Sequence, residues 1–235
     1  GYGLTLPSEM KMLEVNRLLS AILPMDIVST FLGGHGWEEG KSKDWYIDQL
    51  CEEMIPQVAS FRMAAFNDVW VDEGHFTAAD AERILSCGRE YDLIPSIHTD
   101  AYSDIGGSAL AAEMKMANAG HLNYTPNELL PQLRDAGIVG VLLPGTDFSV
   151  RHPHPANPRP MLNCGMTLAL ASNCNPGNWM ESMQVVLTLA CRQHGFSPAE
   201  AFRAATYGGA KALTLTDRGV LDVGKVADLL ILDVD

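Results

Sequence analysis

The chain has 235 residues, of which 47% are hydrophobic and 19% are charged, and its net charge is −13. This composition allows a sizeable core and excludes an extensively disordered chain. The acidity makes nucleic acid and anionic membranes poor partners, and no apolar run approaches the length of a membrane span. Five cysteines without a C-x-x-C pair are typical of a reducing compartment. We therefore predict a cytoplasmic globular protein.

Strands and helices alternate along the whole sequence. Apolar runs that end in turn residues predict buried strands, and periodic segments that begin with capping residues predict helices. The predicted strands span 25–32, 65–71, 93–97, 119–123, 138–143 and 166–171. The predicted helices span 7–21, 44–61 with a kink at Pro56, 77–91, 109–116, 126–136, 158–163, 181–194 and 198–213. A turn-rich tail from Gly219 becomes strand-like before Asp235.

Six β/α units with short connections predict a parallel sheet, and the absence of a reversal favours a barrel over an open sheet. A (β/α)8 TIM barrel needs eight units. The two missing strands would have to precede Gly1, which fits a sequence that starts without methionine. We therefore predict an α/β fold with about six units of such a barrel.

Polar residues follow the predicted strands, where parallel folds build their sites. Three of the seven histidines lie there, which favours a metal-dependent site because histidine is the commonest metal ligand. An H-x-H pair is missing from these strand ends, and His152 and His154 have that spacing only within a proline-rich loop. His75 and His194 are predicted to lie on the surface. The strand-end residues are His35, Asp72, Glu73, His98, Asp100, His121, Asp147, Asn173 and Asn175.

An ordered set of motifs along the chain resembles the imidazolonepropionase family of the amidohydrolase superfamily. The motifs are Gly1-Tyr2-Gly3-Leu4-Thr5, Thr30-Phe31-Leu32-Gly33-Gly34-His35, Cys51-Glu52-Glu53-Met54, His98-Thr99-Asp100, His121-Leu122, Leu142-Leu143-Pro144-Gly145, Asn175-Pro176-Gly177, Glu181-Ser182-Met183-Gln184 and Gly224-Lys225-Val226-Ala227-Asp228-Leu229.

The resemblance implies hydrolysis of the ring amide of 4-imidazolone-5-propanoate to N-formimidoyl-glutamate, in histidine degradation. It implies a small-molecule substrate, one zinc or iron ion, and a barrel joined to a small β-sandwich. Residues 1–217 would then be a partial barrel, and 218–235 would enter the sandwich. A homodimer is possible on this interpretation. The implied metal ligands are His98 and Asn173, the implied catalytic residue is His121, and the implied substrate contacts are Tyr2, His35, Asn175 and Gly177.

Two positions depart from the family. Ala101 stands where the family has Glu or Gln, and Asn173 stands where it has a metal-binding Asp. An amide is a neutral, weak ligand and cannot act as a base, so Asp100 is a second catalytic candidate. Two alternatives stay open on these grounds. One is a sister amidohydrolase acting on another cyclic amide, an amidine or a deaminable ring, and the other is a non-catalytic barrel that binds a ligand.

Overall fold

A computed structural model describes residues 1–231. Its centre is a six-stranded parallel sheet in which the strands lie side by side in chain order. The edge strands do not pair with each other within the described part of the chain, so the sheet is open. The predicted β/α architecture is confirmed as a partial barrel. The strands are β1 (Thr30–Gly34), β2 (Phe66–Val71), β3 (Ile94–Thr99), β4 (Asn118–His121), β5 (Val139–Leu142) and β6 (Thr167–Leu170).

Helices connect the strands, as the right-handed crossovers of a parallel sheet require. They are α1 (Leu6–Ile22), α2 (Lys43–Gln49), α3 (Ile55–Ser60), α4 (Ala78–Glu90), α5 (Gly107–Glu113), α6 (Leu130–Asp135), α7 (Pro144–Ser149), α8 (Pro158–Asn163), α9 (Met183–Arg192), α10 (Pro198–Arg203) and α11 (Gly209–Ala212). A 3-10 turn over Asn127–Leu129 precedes α6. No helix in residues 1–231 combines the length and apolarity needed to cross a membrane.

The two faces of the sheet differ because successive side chains of a strand point to opposite sides. Val69, Val71 and Ile97 face the helices and belong to the main hydrophobic core. The alternate residues Asp68 and His98 line a cavity on the inner face. Asp68 and His98 therefore lie on the inner face, while the outer face packs against the helices.

Several predicted elements have different boundaries in the structure. The first strand begins at Thr30 rather than at residue 25, because pairing with β2 starts only there. The predicted helix over 44–61 is divided by a π-helical turn at Leu50–Met54, just before Pro56, which has no N–H to donate. Residues 144–149 form the short helix α7, whereas the sequence predicted no helix there. Proline at the first helical position is compatible with a helix start.

The last predicted helix, 198–213, consists of α10, a π-helical turn at Ala204–Gly208, and α11. A Cβ atom on Gly208 would collide with the backbone carbonyl of Leu168 in β6. Backbone therefore packs directly on backbone at this point, and this close approach requires glycine.

The tail after Asp217 forms turns around two glycines with positive φ, Gly219 and Gly224. Residues 220–231 contain no strand. The rest of the predicted strand-like segment, 232–235, lies outside the described residues. The division into residues 1–217 and 218–235 stays a prediction.

Candidate active site

Three neighbouring strands bring together two imidazoles and a carboxylate. His35 follows β1 directly, Asp68 lies within β2, and His98 lies within β3. The Oδ1 atom of Asp68 is 2.7 Å from Nε2 of His35 and 2.6 Å from Nδ1 of His98. The two imidazole rings meet edge to face, with centroids 4.7 Å apart. One carboxylate oxygen thus joins both histidines.

The carboxylate of Asp68 is held on its other side as well. The hydroxyl of Ser96 donates a hydrogen bond of 2.6 Å to Oδ2. Ser96 lies opposite Asp68 in the β2–β3 register, so the backbone pairing delivers this contact. Asp68 is only 2% exposed, and its orientation is therefore fixed.

Burial and charge set the protonation states of this cluster. Burial alone would raise the pKa of Asp68, but the charges and hydrogen bonds of His98 and His35 outweigh it and lower that pKa. Burial acts to lower the pKa of His98, and the carboxylate of Asp68 raises it above the ordinary value. Burial lowers the pKa of His35. Asp68 is therefore an ionised acceptor at neutral pH.

His121 ends β4 with its ring centroid 5.6 Å from that of His98. Burial, with smaller contributions from the charges of His98 and His35, lowers the pKa of His121 to about 3. The ring is therefore neutral near pH 7 and can both donate and accept a hydrogen bond. Its backbone has φ +75°, a region that non-glycine residues seldom occupy and that is often found at functional sites.

The inner face offers space next to these groups. The cavity has a volume of about 600 Å³, and Asp68, Ser96 and His98 are part of its wall. Gly120 lies beside His98 in the β3–β4 register, and a Cβ there would come within 3.7 Å of the imidazole. The neighbour of the His98 ring on β4 is therefore a residue without a side chain.

The donor set fits a metal ion such as zinc or iron, which takes imidazole nitrogen and carboxylate oxygen as ligands. One potential ligand atom from each of His35, Asp68 and His98 lies within 4.8 Å of the other two. Asp68 was not predicted from the sequence. The available signal was an acid in the interior of an otherwise largely apolar strand, Phe66–Val71.

The structure does not bring every predicted site residue into this cluster. Asn173 has φ +48°, and its amide nitrogen donates to the hydroxyl of Thr146 at 2.9 Å. Asp100 is fully buried and accepts hydrogen bonds from the hydroxyls of Thr99 and Thr125. Tyr2 is 64% exposed. The roles assigned to these three residues stay predictions.

The loop after β6 is organised by a buried side-chain amide. Asn178 is 2% exposed, and its side chain donates to the carbonyls of Ser172 and Asn173 at 3.0 Å. Its Oδ1 accepts from the Ser149 hydroxyl at 2.7 Å. Within the same loop, Oδ1 of Asn175 accepts from the backbone N–H of Gly177 at 2.8 Å. Asn178 therefore holds the segment that carries both candidate substrate contacts.

A second buried polar network is formed around Asp147 and His194. Asp147 accepts from the Asn123 amide at 3.0 Å and from the backbone N–H of Ala156 at 3.2 Å. His194 is only 5% exposed, and its Nδ1 lies 2.9 Å from the Ala156 carbonyl. The predicted surface position of His194 was wrong because the 152–158 segment folds back over the end of α9.

The structure consists of consecutive parallel β/α units, and imidazole and carboxylate groups lie on the inner face of its sheet. These features define a barrel-type α/β protein with a candidate metal site. Residues 74–235 match the Amidohydrolase family, and the chain belongs to that family.

The chain is 41% identical over 238 residues to an imidazolonepropionase of Brevibacillus brevis, an alignment that covers 100% of this chain. It is 43% identical over 237 residues to an imidazolonepropionase of Syntrophobacter fumaroxidans, covering 99% of this chain. The predicted resemblance is confirmed. The chain spans 56% of the length of each of these relatives.

Solved structures show the same fold at lower identity. A zinc-bound adenosine deaminase from Xanthomonas campestris is 18% identical with a TM-score of 0.66, over 92% of this chain and 54% of that one. A triazine hydrolase variant is 22% identical with a TM-score of 0.67, again over 92% and 54% of the two chains. These similarities establish the fold alone.

Proposed function

We propose that the protein hydrolyses the C–N bond of a cyclic amide with the help of a metal ion, and that the substrate is 4-imidazolone-5-propanoate. The observation that carries this proposal is the cluster of His35, Asp68 and His98 in a chain 41% identical to an imidazolonepropionase. We also propose a cytoplasmic location. Measuring the mass of the native protein in solution tests the predicted homodimer.

His98 would hold the ion through Nε2. The other predicted ligand, Asn173, would bind through its side-chain oxygen, because its amide nitrogen donates to Thr146. When bound, a zinc or iron ion acidifies water and polarises a carbonyl oxygen. The proposal does not distinguish zinc from iron, since both accept these ligand types.

The residues of this chain would act on the ring of the substrate. Neutral His121 would donate a hydrogen bond to the carbonyl oxygen as negative charge develops there. His35, with its Nδ1 atom outside the contact with Asp68, would accept a hydrogen bond from a ring N–H. Asn175, Gly177 and Tyr2 would contact the rest of the substrate.

Ring opening of imidazolone propionate by the metal-loaded full native chain tests the proposal. We expect turnover by the native protein and its loss by at least about a hundredfold in His98→Ala, because one ligand is removed. Replacing surface residue Glu82 by Gln is a matched control, and it should leave the rate unchanged. No turnover by metal-loaded native protein would refute this substrate assignment.

One observation favours the alternative of a related amidohydrolase with another ring as its substrate. The Asn173 amide is directed to Thr146, so the family's carboxylate chemistry is absent at that position. The variant Asn173→Asp separates the two functions. A gain in imidazolone propionate turnover would favour the first function, whereas turnover of another heterocycle by the native protein alone would favour the second.

A further inference from the structure

The hydrogen-bond pattern around Asp68 determines which nitrogen of each histidine carries a proton. An ionised carboxylate only accepts hydrogen bonds. Nδ1 of His98 and Nε2 of His35 both contact Oδ1 of Asp68, at 2.6 and 2.7 Å. Both of these nitrogens must therefore be the protonated ones. In the neutral rings, the remaining nitrogens, Nε2 of His98 and Nδ1 of His35, keep their lone pairs.

We propose that Asp68 is a positioning residue that fixes the tautomers of both histidines, so that His98 presents Nε2 to the metal ion and His35 presents Nδ1 to the substrate. This inference deepens the proposed function and rests on it. It assigns a role to a residue that the sequence did not single out.

The surroundings of Asp68 favour this role over direct ligation. Its Oδ1 accepts two N–H groups and its Oδ2 accepts the Ser96 hydroxyl, so most of its acceptor capacity is already used. By contrast, Nε2 of His98 makes no hydrogen bond within residues 1–231, and His98 lines the cavity. A carboxylate that holds the second nitrogen of a metal-bound imidazole is a recurrent arrangement, and its loss lowers metal affinity about 10–100-fold.

The first experiment reads the tautomers directly by long-range 1H–15N correlation spectra of the full native chain, labelled with 15N-histidine and free of metal. The spectra are recorded at about pH 9, where imidazoles are neutral, and the signals are assigned with His35→Gln and His98→Gln. We expect His98 to be protonated at Nδ1 in the native protein. In Asp68→Ala we expect its proton to move largely to Nε2.

The second experiment measures zinc affinity by competition with a chelator. Asp68→Ala should bind zinc about 10–100-fold more weakly, and Ser96→Ala should show a smaller loss in the same direction. Asp72→Asn is the matched control. Asp72 is equally buried, directly follows the same strand, and accepts from the backbone N–H of Tyr102 at 2.9 Å without touching either histidine. Its variant should keep both the His98 tautomer and the zinc affinity.

The proposal is overturned if His98 stays protonated at Nδ1 in folded Asp68→Ala, or if Asp72→Asn weakens zinc binding as much as Asp68→Ala does. Should Asp68→Ala fail to fold, Asp68→Leu gives the same test at nearly the original side-chain length, because it also removes both acceptor oxygens. The tautomer measurement needs neither metal nor substrate. Its failure is therefore distinct from a failure of the proposed hydrolase activity.

Discussion

At the scale of single residues, the geometry of the site depends on buried side chains that form hydrogen bonds with other residues of the site. Asp68 contacts two histidines, and Asn178 contacts the backbone of the loop that carries Asn175 and Gly177. Both are buried, and both are polar residues whose hydrogen bonds compensate for the loss of water. Such residues determine geometry rather than chemistry.

Replacing Asn178 by Ala should destabilise the protein by about 1–3 kcal/mol, because buried backbone acceptors lose their partner. It should also raise KM more than it lowers kcat, if Asn175 and Gly177 contact the substrate. Urea unfolding and steady-state kinetics measure the two effects. Ser149→Ala is the control, since it removes only one of the contacts. An unchanged free energy of unfolding in Asn178→Ala would contradict the assigned role.

Glu200 gives a pH-dependent prediction. Its hydrogen bonds to Arg159, with those to Ser197, lower its pKa to about 2. A lowered carboxyl pKa stabilises the fold above the unfolded value near 4.5, and this contribution is lost as the pH falls toward 2.

In Glu200→Gln the free energy of unfolding at pH 7 should fall by roughly 0.5 kcal/mol, a small value because the pair is partly exposed. The difference from the native protein should shrink on acidification, measured by urea unfolding at several pH values. A glutamine can still accept the Ser197 N–H of the capping box, so helix capping is retained. A difference that grows toward low pH would contradict this sign.

At the scale of elements, sequence patterns predicted each strand and most of the helices. The capping box of α4, for example, is present with both of its hydrogen bonds between Thr77 and Asp80. Local chemistry decides such features, so sequence reasoning can find them. The π-helical turn at Ala204–Gly208, which packs on β6, and the burial of His194 escaped prediction because they depend on contacts between residues far apart in the chain.

Prediction of the candidate site from the sequence was limited in the same way. The histidines at strand ends could be identified because apolar strands predict where parallel strands stop. Asp68 stands out only as an acid within an apolar strand, and its role could not be identified because its partners His35 and His98 lie 33 and 30 residues away. Only the strand register shows that these groups meet. Conversely, Asn173 occupies a predicted strand end, while its amide is directed to Thr146.

The contact between the π-helical turn Ala204–Gly208 and β6 can be tested with two adjacent glycines. Gly208→Ala should destabilise the protein by about 1–3 kcal/mol, because its methyl group would overlap the Leu168 carbonyl. Gly209→Ala is the control, since nothing lies within 4 Å of its Cβ position. It should be neutral or stabilise by up to about 1 kcal/mol. Thermal and urea unfolding measure both, and equal effects in the two variants would exclude the close packing described.

At the scale of the whole molecule, a metal ion would link distant parts of the chain, since the predicted ligand His98 lies in β3 and the predicted ligand Asn173 lies in the loop after β6. Zinc at about 100 times its dissociation constant should add about 2.7 kcal/mol to the free energy of unfolding. Calorimetry of the full native chain with zinc and after chelation measures this difference. His98→Ala should lose most of the gain. A melting temperature that does not depend on zinc would argue against a stably bound ion.

The arrangement of His35, Asp68 and His98 on three successive strands also has a kinetic consequence. The entropy lost on closing a loop grows with the logarithm of its length, and local contacts speed folding. Loops of 33 and 30 residues suffice to join Asp68 to its two histidines. Residues 30–99 can therefore assemble the imidazole–carboxylate cluster before the C-terminal half has docked. The loop around Asn173 follows β6, so its position relative to the cluster depends on the pairing of β6 with β5.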